Sequence, residues 1–179
     1  ATVYALARPS DALQAVVAEI QGQGHRALAV PMDLTHDDLA QTLDELPQID
    51  TVIHAAGMAQ HQAVGHITQA AYQAVMALNV EAPLFLTQYL CNRWIETKSV
   101  GSVIFISSQL AHVGAPQRAV YCASKSAVEG YSRALAIELA AYGIRVNTVC
   151  PTFTETEMTQ TMLADASFRQ SVIDRIPLR

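Results

Sequence analysis

Residues 103–106 form the run Val-Ile-Phe-Ile, in which every side chain is apolar and either β-branched or aromatic. A strand with one face in water alternates polar and apolar residues, so an unbroken run of this kind predicts a strand buried on both faces. Strands of this type belong to parallel sheets that are covered by helices. The run therefore indicates an α/β fold.

The rest of the chain alternates short apolar runs with helical patterns, which is the order that builds a doubly wound parallel sheet. Pro83 lies inside the longest helical pattern and predicts a kink or a restart there. No repeat or linker divides the chain, so residues 1–179 are expected to form one domain. Further strands are predicted at 2–6, 26–32, 51–54 and 145–149, and helices at 11–21, 36–46, 71–89 and 128–142.

The composition argues against several kinds of partner. Hydrophobic residues make up 51% of the chain and charged residues 15%, as expected for a buried sheet under helices. A net charge of −5 without basic clusters gives no support for binding to nucleic acid. No apolar run is expected to be long enough to span a membrane. Three widely separated cysteines in apolar surroundings are typical of reduced thiols, so a cytoplasmic protein is expected.

Tyr121 and Lys125 are four residues apart at the start of a predicted helix, so their side chains project from one helix face. A phenol with a pKa of about 10 exchanges protons poorly at neutral pH, and a neighbouring ammonium group stabilises its anion. Ser108 lies thirteen residues before Tyr121, just past the buried run at 103–106. Ligands bind at the ends of such strands in open α/β sheets. The three side chains are therefore candidate catalytic groups.

Four blocks of sequence occur in a definite order along the predicted elements. They are His54-Ala-Ala-Gly57, Ser108, Tyr121-x-x-x-Lys125 and Arg145-Val-Asn-Thr-Val-Cys-Pro151. Together they resemble the short-chain dehydrogenase/reductase family. The resemblance implies a Rossmann-like, NAD(P)-binding domain that transfers hydride between a nicotinamide and a small-molecule carbonyl or alcohol.

The resemblance assigns roles to the candidate catalytic groups. Tyr121 would be the general acid/base that exchanges a proton with the substrate oxygen. Lys125 would hold the nicotinamide ribose and lower the pKa of Tyr121, and Ser108 would hydrogen-bond the same substrate oxygen, with Ser107 as the competing hydroxyl. Asn79 matches a family asparagine that bends its helix and holds a water linked to the lysine. The alternative for Asn79 is an exposed or locally bonded amide.

The residue at the end of the first predicted strand indicates whether NAD(H) or NADP(H) is preferred, and Arg8 lies there instead of an acidic residue. An arginine there can bind a 2′-phosphate, so NADP(H) is favoured and NAD(H) stays possible. Arg8 could otherwise be a solvated surface residue. By resemblance, Asp33 and Leu34 contact the adenine, although Asp33 could instead cap the helix predicted from residue 36.

Small residues after the third predicted strand would let the backbone approach the cofactor. These are Ala55, Ala56 and Gly57. His54 departs from the family, which often has asparagine at this position. By resemblance, further cofactor contacts come after the last predicted strand from Pro151, Thr152, Phe153 and Thr156.

The substrate pocket is expected to be polar. Gln109 and His112 lie between Ser108 and Tyr121 and would suit a hydroxylated substrate such as a sugar or sugar acid. His112 could equally face solvent. The chain contains six histidines, but no histidine, cysteine or carboxylate set has recognised ligand spacing, so no metal is predicted.

The family's glycine-rich phosphate-binding loop has no counterpart in this sequence. In the family that loop follows a first strand, in the middle of the sheet, that precedes the strand predicted here at 2–6. The family also continues into a further helix and a final strand. By resemblance, residues 1–179 are therefore expected to be an incomplete domain.

Two further expectations follow from the resemblance. The family helices that correspond to 71–89 and 128–142 pair between subunits, so a homodimer or homotetramer is expected. A catalytically silent nucleotide-sensing or scaffold protein of the same fold is the alternative to an enzyme. A Rossmann-like methyltransferase would not explain the serine and YxxxK combination.

Overall fold

Strands and helices alternate along the chain in the computed structural model, which describes residues 1–176. The strands are β1 Thr2–Ala7, β2 Arg26–Pro31, β3 Thr51–His54, β4 Ser102–Ile106 and β5 Arg145–Val149. The α-helices are α1 Asp11–Gly22, α2 Leu39–Asp44, α3 Gln69–Met76, α4 Ala82–Glu96, α5 Ala119–Leu139, α6 Glu157–Leu163 and α7 Ala166–Ile173. The predicted α/β fold class is confirmed.

All strand pairs are parallel, but the described strands form two sheets rather than one. β1 pairs with β2, and β3, β4 and β5 pair in that order. Within residues 1–176, no ladder joins β1 to β3. The sheet is thus divided next to β1, where the resemblance places the family's first strand.

β4 is the centre of the three-stranded sheet, and this explains its apolar sequence. It is hydrogen-bonded to β3 on one side and β5 on the other, and none of its residues is exposed. Val103 and Phe105 are almost completely buried under α4 and α5. Burying a side chain of this size contributes about 1.5–3 kcal/mol. Ile104 and Ile106 on the opposite face are only partly buried, so the predicted burial is complete on one face and partial on the other.

Residues 69–96 form one long helix, with a π-helical turn at Ala77–Glu81 between α3 and α4. Pro83 follows this turn at the start of α4. Proline has no N–H to donate, and the wider turn lets the helix continue past it. The predicted break is therefore a local change of helical pitch.

This helix is long and apolar enough to cross a membrane by length and composition alone, which the sequence analysis did not expect. The reason is that the helix runs through Pro83 instead of stopping there. Its inward side chains Val75, Leu86 and Trp94 are nevertheless buried within the protein. Residues 69–96 therefore provide a core helix of this fold.

α2 is shorter than the helix predicted from residue 36. Asp38 caps it by accepting from the N–H groups of Ala40 and Gln41. Asp33 instead accepts from the Thr35 N–H and hydroxyl, and its own N–H donates to Asp37. Residues 33–37 are therefore a turn, and Asp33 does not cap α2.

Gly101 is required by the packing of Trp94. A Cβ at position 101 would lie 2.3 Å from Trp94 Cε3. The indole is fixed by a 2.6 Å hydrogen bond from Nε1 to the Ile49 carbonyl. We expect Gly101→Ala to lower the free energy of unfolding by about 1–3 kcal/mol, measured by urea denaturation. Gly114→Ala, with nothing within 4 Å of the added carbon, is the matched control; equal stability of the two variants would contradict this account.

Candidate active site

The predicted site residues gather where β3, β4 and β5 end. Gly57 follows β3, Ser108 follows β4 and Thr152 follows β5. Because the strands are parallel, these ends lie at one edge of the sheet. The loops after β4 and β5 are joined by a 3.0 Å hydrogen bond from the Gln109 N–H to the Pro151 carbonyl.

Ser108 and Tyr121 are brought together by the start of α5. Ser108 is buried, and its Oγ accepts a 3.1 Å hydrogen bond from the Leu110 N–H. This bond orients the hydroxyl in the turn after β4. Tyr121 lies in the first turn of α5, lines the same cleft as Ser108, and is near enough for the Ser108 hydroxyl to partly offset the burial that raises its pKa. The structure therefore brings the predicted pair together.

Lys125 lies one helical turn beyond Tyr121, as predicted. Its ammonium is buried and donates a 2.8 Å hydrogen bond to the Ile106 carbonyl at the end of β4. Nζ lies 5.8 Å from the centroid of the Tyr121 ring. Burial lowers the pKa of Lys125. This lysine is held by the backbone of the strand that precedes Ser108.

The expected lowering of the Tyr121 pKa by Lys125 is not found. Burial raises the pKa of Tyr121, while the nearby Ser108 hydroxyl and the positive charge of Arg118 act in the opposite direction without overcoming it. Lys125 directs its charge at the Ile106 carbonyl instead. The sequence could not predict the direction of this pKa shift, because desolvation depends on the packed surroundings.

Asn79 joins three parts of the site from within the π-helical turn. Its Oδ1 accepts from the Met58 N–H at 2.8 Å, and its Nδ2 donates to the Met58 carbonyl at 2.9 Å and to Ser124 Oγ at 3.0 Å. Ser124 in turn donates to the Tyr121 carbonyl. A Cβ on Gly57 would lie 3.4 Å from Asn79 Oδ1 and 3.6 Å from Lys125 Nζ. Ser124 and the Met58 backbone are links that the sequence analysis missed.

An open cleft with about 500 Å³ of empty space lies beside Ser108 and Tyr121. Gln109, Thr152 and Phe153 line it, in agreement with the predicted set. Six described lining residues were not predicted, and two of them can carry charge, namely His61 from the loop after β3 and Arg118 just before α5. The three-residue separation of Arg118 from Tyr121 was a usable signal, because it equals about one helical turn.

Thr156 is not part of this cleft. It caps the N-terminus of α6 and lines a second cleft, between α6 and α7, together with Glu155 and Arg169. These two residues form a 2.7 Å ion pair. The second cleft is larger, but Thr156 is the only predicted site residue among its described lining.

The remaining predicted cofactor residues lie at the ends of β1 and β2. Arg8 follows β1 and is exposed, and Asp33 and Leu34 follow β2. The Thr35 hydroxyl and N–H hydrogen bonds lower the pKa of Asp33 to about 2, so its carboxylate stays ionised. Leu34 packs partly against the hydrophobic core.

Comparison with known proteins identifies the family. The sequence pattern described as short chain dehydrogenase matches residues 1–167. The chain belongs to this family. It is 31% identical to the L-xylulose reductase of Caenorhabditis elegans, over 100% of this chain and 72% of the relative. It is 29% identical to the 2-dehydro-3-deoxy-D-gluconate 5-dehydrogenase of Dickeya dadantii, over 96% of this chain and 68% of the relative.

A solved structure of the same family has the same fold. It is a candidate NAD(P)-dependent gluconate 5-dehydrogenase of Beutenbergia cavernae with bound NADP, and it superimposes with a TM-score of 0.91 at 29% identity. The alignment covers 98% of this chain and 72% of that structure. The relatives are named dehydrogenases and reductases that act on CH–OH groups, and the short-chain dehydrogenase described here is an oxidoreductase.

His112 lies in a cluster outside the described lining of the short-chain dehydrogenase cleft, so of its two predicted alternatives the structure has the solvent-facing one. It is exposed, and its Nε2 lies 3.6 Å from Cys150 Sγ. Cys150 donates a 3.2 Å hydrogen bond to the buried Glu129 carboxylate. The three groups lie within 4.8 Å of one another, although their sequence positions suggest no ligand set. Burial and the Glu129 carboxylate raise the pKa of Cys150, so the thiol is a protonated donor in a hydrogen-bonded network.

His54 replaces the family's asparagine with a side chain that belongs to the core. Its ring stacks on Phe105 with centroids 4.8 Å apart, and Nε2 lies 2.8 Å from Thr87 Oγ1. Burial lowers the pKa of His54 from 6.5 to about 4. The sequence shows that His54 departs from the family, but it does not predict the packing of the imidazole against Phe105.

This pKa predicts a pH dependence of stability. Because the folded-state pKa of His54 is below its unfolded value, protonation favours the unfolded chain. The stabilisation is complete above pH 6.5 and is lost as the pH falls to about 4. We expect His54→Asn to reduce the loss of unfolding free energy over this range by roughly 3 kcal/mol, measured by urea denaturation at several pH values.

The matched control is His25→Asn, which replaces an exposed histidine at the end of the α1–β2 connection. This variant should keep the pH profile of the unchanged protein. Identical profiles for His54→Asn and His25→Asn would contradict the role assigned to His54.

Proposed function

We propose that this short-chain dehydrogenase interconverts a ketone and a secondary alcohol with NADP(H), with Tyr121 as general acid/base. The observation that supports the proposal is that Ser108 and Tyr121 line the same cleft, with Lys125 one helical turn beyond Tyr121. A catalytic acid must reach the substrate oxygen while a second donor fixes that oxygen in place. Tyr121 and Ser108 supply these two donors.

In the reductive direction, the nicotinamide supplies a hydride to the carbonyl carbon when it is bound. Ser108 and Tyr121 both hydrogen-bond the carbonyl oxygen. The raised pKa of Tyr121 keeps a proton on the phenol, which it gives to that oxygen as the C–O double bond becomes a C–O single bond. In the oxidative direction, the phenolate takes the alcohol proton back.

Lys125 and Asn79 are proposed to support this proton transfer. Lys125 would bind the ribose hydroxyls of the nicotinamide nucleotide with donors that remain after its bond to Ile106. Asn79 would fix the Met58 backbone and the Gly57 turn beside the lysine. A proton leaving Tyr121 would reach solvent past Lys125 and this turn.

The described residues fit an NADP(H) molecule. The packing of Gly57 against Asn79 and Lys125 favours a small residue where the cofactor is to pass, and Ala55 and Ala56 before it are also small and exposed. None of the acidic side chains described in the structure forms an ion pair with the exposed Arg8, which would bind the 2′-phosphate. The ionised Asp33 would accept from the adenine amino group. The NADP bound in the Beutenbergia relative supports this choice.

The remaining cofactor contacts are proposed from the loop after β5. Thr152 and Phe153 line the cleft and would contact the nicotinamide side, with Pro151 holding the loop against Gln109. The contact first expected of Thr156 is left out because its side chain lines the other cleft.

Sugar-type substrates and a homo-oligomer are proposed for the same protein. Relatives named for L-xylulose and for a deoxygluconate support a hydroxylated ketone, with Gln109 as a polar contact. Phe85 on α4 is 55% exposed and Ile137 on α5 is 81% exposed, and contact between subunits would bury both. We place this assembly in the cytoplasm as a homodimer or homotetramer.

The assignment of Tyr121 is tested by removing its hydroxyl. We expect Tyr121→Phe to lower kcat for the reduction of L-xylulose by at least about 100-fold, because general acid catalysis contributes about 10²–10⁴-fold. The dissociation constant of NADPH should stay within about threefold, since packing of the ring is retained. Steady-state rates and fluorescence titration of NADPH measure the two quantities.

Tyr142→Phe is the control, because Tyr142 is exposed at the far end of α5. Retention of more than a tenth of the kcat by Tyr121→Phe would remove the proposed acid/base. NADPH binding without reduction of any ketone by the unchanged protein would favour the nucleotide-sensing alternative.

The cofactor preference is tested at Arg8. We expect Arg8→Gln to raise the dissociation constant of NADPH by about 10-fold or more and to leave that of NADH nearly unchanged, because only NADPH carries the 2′-phosphate. Arg26→Gln, which removes an exposed cation at the start of β2, should change neither constant. Equal weakening of both cofactors by Arg8→Gln would exclude phosphate recognition by this residue.

A further inference from the structure

Arg118 is a charged residue in the cleft that the proposed chemistry does not use. It immediately precedes α5 and lines the same cleft as Ser108 and Tyr121. Its Nη2 donates to Met162 Sδ at 3.2 Å, and a thioether is a weak acceptor. Among the described residues, no carboxylate lies within ion-pair distance of the guanidinium.

The surroundings do not compensate this charge. Arg118 is partly buried, and burial lowers its pKa, as expected for a cation that loses water without gaining a counter-ion. A guanidinium has five N–H donors, so several remain for a ligand. Because Met162 is the only described side chain that accepts from the guanidinium, its other donors are available to an anion that enters the cleft.

The backbone holds Arg118 in place. Gln117, just before it, has a φ of 59°, a left-handed conformation that a non-glycine residue keeps only where its surroundings require it. The Gln117 carbonyl accepts from the Gln62 N–H at 3.2 Å, and the Arg118 carbonyl accepts from the Cys122 N–H at 2.8 Å. Backbone hydrogen bonds at Gln117 and at Arg118 itself therefore fix the point from which the Arg118 side chain extends.

The rest of the lining favours a negative group. No aspartate or glutamate is among the described side chains that line the cleft. His61 is on the same wall, and burial together with the positive charge of Arg118 lowers its pKa. A neutral imidazole adds a hydrogen-bonding group without cancelling the positive potential.

We propose that Arg118 binds a carboxylate of the substrate, so that the enzyme prefers oxo acids and hydroxy acids over neutral ketones and alcohols. This rests on the proposed function, because it takes the cleft beside Tyr121 as the substrate site. The planar fork of a guanidinium matches two carboxylate oxygens. A phosphate has similar chemistry and could come from a sugar phosphate or from the cofactor, so the experiment includes both.

The test compares two substrates that differ in one charge. Initial rates of NADPH oxidation by the full chain are measured with 5-keto-D-gluconate and with its methyl ester. We expect Arg118→Gln to lower kcat/KM for the acid by about 30–100-fold more than for the ester, mainly through KM. Arg118→Lys keeps the positive charge but not the planar guanidinium. Its ratio of kcat/KM for the acid to kcat/KM for the ester should lie between those of the unchanged protein and Arg118→Gln. Arg26→Gln is the control and should leave the ratio unchanged.

The ratio separates substrate binding from an effect on Tyr121. Arg118 also lowers the pKa of Tyr121, and losing that influence would change kcat for the acid and the ester alike. Equal losses for the two substrates would therefore overturn the proposal. A parallel rise in KM for NADPH would assign Arg118 to the cofactor, and a greater loss for D-xylulose 5-phosphate than for the acid would assign it to phosphate; both results would also overturn it.

A second measurement does not need turnover. D-gluconate should raise the Tm of the unchanged protein with NADP and raise that of Arg118→Gln much less. Failure of the unchanged protein to reduce L-xylulose, the acid or the ester would refute the proposed function, and the Tm shift would then decide the carboxylate site alone. Turnover of the acid and ester with ratios unaffected by Arg118→Gln would refute only the carboxylate site.

Discussion

The hydrogen bond from the buried Lys125 ammonium to the Ile106 carbonyl is the interaction on which the site geometry depends. It attaches the first turns of α5 to the end of β4. Tyr121 belongs to α5 and Ser108 follows β4, so this attachment brings both side chains to the same cleft. Because β4 is held between β3 and β5, the end of a rigid strand fixes the position of the reactive hydroxyls. The same bond directs the lysine charge away from the phenol, so burial decides the pKa of Tyr121.

A second set of contacts joins the helix at residues 69–96 to the same place. The π-helical turn presents Asn79 inwards, where its amide bonds both polar groups of the Met58 backbone and Ser124. This arrangement satisfies a buried amide and a loop backbone at once, as a low-dielectric interior requires. Pro83 and Asn79 are poor residues for the interior of an ordinary α-helix. Asn79 lies within the wider π-helical turn, and Pro83 lies just after it. Local helix irregularity is thus part of the construction of the site.

The two sides of the site differ in electrostatic character. At the ends of β1 and β2 the exposed Arg8 and the ionised Asp33 are close to solvent, and water stabilises their charges. Beside Tyr121 the cleft contains Arg118 without a described acidic partner, in partly buried surroundings where its field is screened less. The first side suits a nucleotide and the second a small anion. Membership of the short-chain dehydrogenase family indicates oxidation and reduction at the point where the two sides meet. The proposed carboxylate contact of Arg118 would determine which substrates this chain prefers.

The sequence by itself determined the fold class, the order of the elements and the placement of Tyr121 and Lys125 on one helix face, because these depend on local periodicity and spacing. Ser108 was grouped with them by its position after a buried strand and by the family resemblance. The tertiary structure alone decided which neighbouring residues join them. It placed Arg118 and His61 in the cleft, turned His112 towards Cys150, moved Thr156 to another cleft and buried His54 against Phe105. It also decided that the pKa of Tyr121 is raised. Side-chain direction and loss of hydration arise from packing between segments distant in sequence, and no local pattern records them.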